Sequence, residues 1–316
     1  MRKYIIHQDS HKVMSSGKVR EDMVLIAARL GYEKLEEDVA LETNADENDI
    51  ILFAYPSRKG SEKADQKLIK HFKKNGARII IVTLNVDYLR YEDVDSQLVV
   101  DTFNNVDVII TLSRKMQMRL AEDGVLTPMI LLELHDYLAT GAARRPLFEK
   151  HLIFAGSPYK AEYLQNWANT TPVDVFARPE AINDEELLAN NVTYVGYLHP
   201  DHIAKVLNYG FGLAFDEDSA TGNFAEYQTM NLSHKVSMFL AAGIPLILNA
   251  KAASAPMIEA AHAGVLIGSL DEIDDVMYNM TEQDYVHYSN GASRLSALVR
   301  HGFFYRKAIV EAEQIL

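Results

Sequence analysis

Residues 231–248 read NLSHKVSMFLAAGIPLIL. The spacing predicts a helix that begins near Ser233, carries Lys235 in its first turn and closes on Ala241-Ala242-Gly243, the glycine supplying the helix C-cap. Apolar Ile244–Asn249, with Pro245 near its start, then reads as a buried strand. Helix, glycine, buried strand is one step of a parallel α/β fold. Lysine in a first helical turn opposes the helix dipole. The sign reverses if an anion binds there, because free N–H groups and the ammonium then point at one place. A solvated lysine on an ordinary helix is the plain alternative.

The same alternation extends in both directions. Upstream lie strands Tyr4–Ile6, Asp49–Ala54, Arg78–Leu84, Val106–Leu112 and Met129–Leu132. Helices Val19–Leu30, Ala64–Lys74 and Ser113–Asp123 separate them, the first two stopped by Gly31 and Gly76. Thr140–Lys150 (TGAARRPLFEK) reads as a linker. The pattern then restarts: strand His151–Ala155, a turn at Gly156-Ser157-Pro158, helix Tyr159–Asn169, strands Val173–Phe176 and Val192–Gly196, helix Pro200–Tyr209, strand Phe211–Phe215. Beyond residue 249 follow Ala255–Ala263, Val265–Ile267, Asp271–Met280 and a last amphipathic helix, Phe303–Leu316. Continuous apolar strands between helices mean parallel sheets covered on both faces. The expected organisation is two Rossmann-like domains, 1–145 and 150–301, and the last helix is too apolar for a free tail. Ligands of such sheets bind beyond the strand C-termini.

The chain has 316 residues, enough for about two domains. Lys plus Arg is 31 and Asp plus Glu is 44, a net charge of −13. That excess repels nucleic-acid backbones, though not one small phosphate ligand in a local basic pocket. No cysteine is present, which excludes disulfides, zinc–thiolate sites and a Cys nucleophile and fits a reducing cytoplasm. The opening MRKYIIHQDS lacks the apolar run of a signal peptide, and no window approaches a spanning helix. GxGxxG, P-loop and HExxH motifs are absent. Asp216-Glu217-Asp218 reads as a solvated loop.

Lys235-x-x-x-Phe239-Leu-Ala-Ala-Gly-Ile-Pro-Leu-Ile resembles the nucleotide-sugar site of GT-B glycosyltransferases. More narrowly, the chain resembles the bacterial accessory glucosyltransferases that extend O-linked GlcNAc on serine-rich repeat adhesins. The resemblance runs nearly end to end: the opening MRKYI, the Ser15-Ser16 loop, AGSP (155–158), GYLHPDHI (196–203), GFGLAF (210–215), Ser233–Ile247 and GFFYRK (302–307). It implies a GT-B fold whose C-terminal helix, 302–316, crosses back to the first domain, a UDP-sugar donor, most simply UDP-glucose, a GlcNAc-bearing Ser/Thr-rich acceptor, no metal cofactor, a cytoplasmic setting and a homo-oligomer, dimer or tetramer. Lys235, flanked by Ser233 and His234, then contacts the donor diphosphate. Lys160, after the Ser157 turn, is the second basic candidate. Tyr197 stands at the nucleoside, and main-chain groups near Phe176–Arg178 read the uracil edge. Ser16 and Gly17, whose other reading is a helix cap, approach the donor phosphates or the acceptor.

The acceptor hydroxyl calls for a base. Members of that family carry a His-Asp pair after the third strand, where this chain reads Leu84-Asn85-Val86-Asp87. Asp87 is the replacement candidate, beside Asp9 and the pair His135-Asp136, all at strand-end loops. Two other classes stay open at this point: a non-catalytic partner subunit of a glycosyltransferase, favoured by the altered Leu84-Asn85, and a two-domain UDP-sugar epimerase.

Overall fold

A computed structural model describes residues 1–8, 17–141, 143–156, 158, 161–179, 189–218 and 222–316. The chain divides into two compact units, Met1–Asp136 with Gly302–Leu316, and Tyr137–His301.

The first unit is built on six parallel strands: β1 (Lys3–His7), β2 (Glu33–Glu36), β3 (Ile50–Tyr55), β4 (Arg78–Thr83), β5 (Val108–Thr111) and β6 (Met129–Leu131). Their order is β2-β1-β3-β4-β5-β6. Every residue of β3 (IILFAY) and β5 (VIIT) is buried, as a sheet covered on both faces requires. The helices are α1 (Gly17–Ala28), α2 (Glu62–Lys74), α3 (Ser96–Phe103) and α4 (Arg114–Glu122). Ser113 caps α4 by accepting from Met116 N–H at 3.1 Å, and Asp95 caps α3 by accepting from Leu98 N–H at 3.2 Å.

The second unit repeats the plan with β7 (Leu147–Ala155), β8 (Val173–Phe176), β9 (Val192–Gly196), β10 (Tyr209–Ala214), β11 (Leu246–Asn249) and β12 (Gly264–Ile267). The order is β12-β11-β10-β7-β8-β9, again parallel. Its helices are α5 (Pro200–Val206), α6 (Phe224–Tyr227), α7 (His234–Ala242), α8 (Ala255–Ala260), α9 (Ile273–Asn279) and α10 (Glu282–Val299). The helix α7 lies directly on β10: a Cβ at Gly212 would come within 2.3 Å of the Phe239 ring. Gly243 ends α7 in the left-handed conformation, φ +76°.

The last helix, α11 (Phe303–Glu313), packs in the first unit, burying Phe304, Tyr305 and Ile309. Glu313 accepts from Tyr32 Oη at 2.8 Å and pairs with Lys3 on β1 at 2.8 Å. Asp136 accepts the Phe304 and Tyr305 N–H groups at 3.2 and 2.7 Å, pairing two amides of the first turn of α11.

Several elements differ from the sequence reading. The short strand β2 (EKLE) is itself mostly charged and gives little apolar signal. The helices α3 and α10 were not expected. The sequence of α10 carries Asn290-Gly291 at mid-helix, a breaker by propensity, but a Cβ at Gly291 would meet His262 O at 2.0 Å, so the close approach of α10 demands glycine. Thr140–Lys150 is not an inter-unit linker, since it lies within the second unit and its end, from Leu147, opens β7. Of the helix expected over Tyr159–Asn169, the described part, from residue 161, holds a single 3-10 turn, Glu162–Leu164.

Candidate functional site

In the second unit the chain runs from β7 outward through β8 and β9, then returns to place β10 on the other side of β7. That reversal is a topological switch point, where the loops leaving the two strands part and open a crevice for ligands. The residue after β7 is Gly156, and Asp216 lies just past β10. The first turn of α7 delivers Lys235 to both. Its Nζ is 3.0 Å from Asp216 Oδ1 and 4.8 Å from the centre of the Phe154 ring. Gly156, at φ +143°, holds a backbone conformation that favours glycine, and a Cβ there would lie in ordinary contact with the lysine stem, 3.7 Å from Lys235 Cδ. Ser233 is the residue before α7, and its side chain makes no capping hydrogen bond, so its hydroxyl does not close off the amide groups of the first turn.

A pocket opens beside this ion pair, lined by Asp216, Gln228, Asn231, Ser233, Leu248 and Ser254. The buried Gln228 clamps the main chain of Asp216 from both sides: its Oε1 accepts the Asp216 N–H at 3.2 Å, and its Nε2 donates to the Asp216 carbonyl at 2.5 Å. Asn231 Oδ1 is buried without a hydrogen-bond partner among the described residues. A lysine, a serine hydroxyl and open helix amides suit a phosphate group, and the adjoining amide and carboxylate groups suit hydroxyls. Arg178 and Tyr197 leave the ends of β8 and β9, with the guanidinium 5.5 Å from the Tyr197 ring centre. Tyr197 is 40% exposed, an aromatic face open to a planar partner. His234 is the first residue of α7, half-buried beside Lys235.

The candidates in the first unit are placed differently. His135 is fully buried, with Nδ1 2.6 Å from Tyr305 Oη. Asp136 has both carboxylate oxygens engaged by the amides of α11, and burial pushes its carboxyl up to about 7 while those two N–H groups pull it down. Asp87 is 2% exposed. Its Oδ1 accepts from Arg90 Nε at 2.9 Å and Nη2 at 2.6 Å, while Oδ2 has no partner among the described residues. Gly17 opens α1. Asp9, Ser16, Ser157 and Lys160 lie outside the described residues.

Reading the sequence alone passed over Asp216 as a counter-charge, and with it Gln228, Asn231 and Phe154. It also missed Arg20, which is buried in the first unit. That side chain donates to Gln8 Oε1, just past β1, and to the Ala54 and Pro56 carbonyls at the end of β3. Burial lowers its guanidinium to about 10. Arg20 thereby ties together β1 and β3, the switch point of the first sheet. The available signals were an acid one residue past a buried strand and a lone Arg on the apolar face of a helix. Neither is decisive without the strand order.

The Glucosyltransferase 3-like N-terminal domain family matches residues 2–134, and the Glucosyltransferase 3-like C-terminal domain family matches residues 152–312. The chain belongs to the glucosyltransferase 3-like family. It is a glycosyltransferase. Among its relatives, Glucosyltransferase 3 of Streptococcus gordonii is 28% identical over 269 residues, covering 84% of this chain and 79% of the relative. Glucosyltransferase 3 of Streptococcus parasanguinis is 24% identical and covers 99% of this chain and 98% of its own. Similar solved structures include Anabaena HepE in complex with UDP (TM-score 0.59, 12% identity, 100% of both chains). Another is AviGT4, a glycosyltransferase of avilamycin A biosynthesis (TM-score 0.60, 14% identity, 99% of this chain and 97% of that chain). These neighbours fix the fold of this glucosyltransferase 3-like chain as GT-B, and its lysine-helix and closing motifs fall inside the C-terminal family match. Among the described residues no helix is long and apolar enough to cross a membrane.

Proposed function

We propose that the protein transfers a hexose, glucose in the simplest case, from a UDP-sugar to a GlcNAc-modified Ser/Thr-rich protein such as a serine-rich repeat adhesin. The observation that carries this reading is Lys235, brought by the first turn of α7 to the switch point between β7 and β10, beside Gly156 and Asp216. In this reading the ammonium and the first amides of α7 receive the diphosphate, and Tyr197 and Arg178, on neighbouring strand ends, receive the nucleoside. The acceptor hydroxyl attacks the anomeric carbon, the bond from that carbon to the phosphate oxygen breaks, and UDP leaves. Positive charge at the diphosphate stabilises the leaving group as negative charge develops on it. For the base the proposal is Asp87. Both oxygens of Asp136 and one ring nitrogen of His135 already hold partners within the fold, whereas Asp87 Oδ2 has none among the described residues.

The names of the streptococcal relatives support a glucosyl donor, and UDP bound in the Anabaena neighbour supports the nucleotide. The test is incubation of the protein with UDP-glucose and a GlcNAc-bearing peptide, read by mass spectrometry. Addition of one hexose is the expected result. UDP binding with no product from any sugar selects a non-catalytic partner subunit, and conversion of the sugar nucleotide itself selects an epimerase.

A further inference from the structure

Asp216 occupies an unusual place for a carboxylate in a phosphate site. It holds the very ammonium assigned to the diphosphate, at 3.0 Å, and its main chain is fixed on both sides by the buried Gln228. A carboxylate so placed opposes an incoming diphosphate twice, by repulsion and by competing for Lys235. A solvated loop acid needs no such clamp. Asp216 also lines the pocket together with Asn231, whose Oδ1 has no partner among the described residues.

The position makes sense once the sugar is considered. In a sugar nucleotide the hexose joins the diphosphate through a single oxygen. An ammonium in contact with the phosphate therefore stands beside the sugar ring, and a carboxylate reaching that same ammonium stands beside the ring's hydroxyls. Hydroxyl donors are what a carboxylate accepts best after a cation, in charge-assisted bonds that specify orientation. We propose that Asp216 reads the hydroxyls of the transferred hexose, with Gln228 as its positioning residue, and that donor binding passes Lys235 from Asp216 to the diphosphate. This rests on the donor reading above and names the group within it that distinguishes a sugar nucleotide from the bare nucleotide. Lys235 keeps one negative partner before and after the exchange, and the carboxylate it releases gains hydroxyls in return.

Calorimetric titration of UDP and of UDP-glucose into wild type, Asp216→Asn and Gln228→Met tests the exchange. The quantity read is the ratio of the UDP-glucose Kd to the UDP Kd. In Asp216→Asn that ratio rises by about 10-fold or more, the scale of a lost charged hydrogen bond, while UDP itself binds as tightly as in wild type or tighter because Lys235 has lost its competitor. Gln228→Met moves the ratio the same way by less. Retained UDP binding shows that each variant is folded. An unchanged ratio in Asp216→Asn, whether both ligands weaken together or neither does, overturns the assignment. If wild type binds UDP-glucose and UDP but Lys235→Ala weakens neither, the donor reading falls and the exchange falls with it.

Discussion

The Asp136 carboxylate accepts the Tyr305 N–H at 2.7 Å, joining the end of the first stretch of the N-terminal unit to the helix that returns to it. Burial raises this carboxyl from an ordinary 3.8 to about 7, so the folded protein binds its proton more tightly than the unfolded chain does. The stabilisation linked to that proton is complete below about pH 4 and is lost as pH rises through 7. Asp136→Asn has no such proton. Its stability relative to wild type should therefore improve between pH 4 and pH 8 by on the order of 2–4 kcal/mol, on top of a constant cost for the amide N–H left without its acceptor. Urea unfolding at a series of pH values measures the difference, and a pH-independent difference contradicts it.

The fully buried Ile309 anchors α11 in the first unit. Ile309→Ala should cost about 2–5 kcal/mol. In hydrogen exchange the loss of protection should fall on β1, β5 and β6 and spare β10 and β11. Equal loss in both units contradicts this placement of α11.

Gly212 faces the Phe239 ring, and an added Cβ would stand within 2.3 Å of it. Gly212→Ala should push α7 off β10 at a cost of about 1–3 kcal/mol. Because Lys235 rides on α7, UDP affinity should fall along with the melting temperature. A variant that melts lower but binds UDP as wild type does would separate the lysine from the packing of its helix.

Asp87→Asn keeps the volume and removes the basic oxygen. If Asp87 is the base, transfer falls by about 10²–10⁴-fold while UDP affinity, a property of the other unit, stays at the wild-type value. Transfer at the wild-type rate removes Asp87 from the mechanism.

Much of the fold was legible because buried parallel strands leave apolar runs: the strands read at Asp49–Ala54, Arg78–Leu84 and Phe211–Phe215 are β3, β4 and β10, within a residue or two at each end. Lys235 stood out as a candidate because its helix position is electrostatically odd. The helix α10 was hidden because Gly291 answers to a contact with His262, far away in sequence, and not to helix propensity. Asp216 was hidden for a similar reason. In sequence it is one of three consecutive acids, and only the packing of α7 against β10 brings it to Lys235. Local patterns report elements, whereas partners across the sheet depend on strand order, which no window of sequence contains.

The central claim is that Lys235 holds the donor diphosphate, and calorimetric UDP titration of wild type, Lys235→Ala and Lys251→Ala tests it most directly. Lys251 is an exposed lysine just past β11 and serves as the control for charge alone. Loss of a charge-assisted phosphate contact is worth about 1.5–3 kcal/mol, so Lys235→Ala should bind UDP roughly 10–200-fold more weakly while Lys251→Ala binds as wild type does. Equal affinities for the two variants would contradict the assignment.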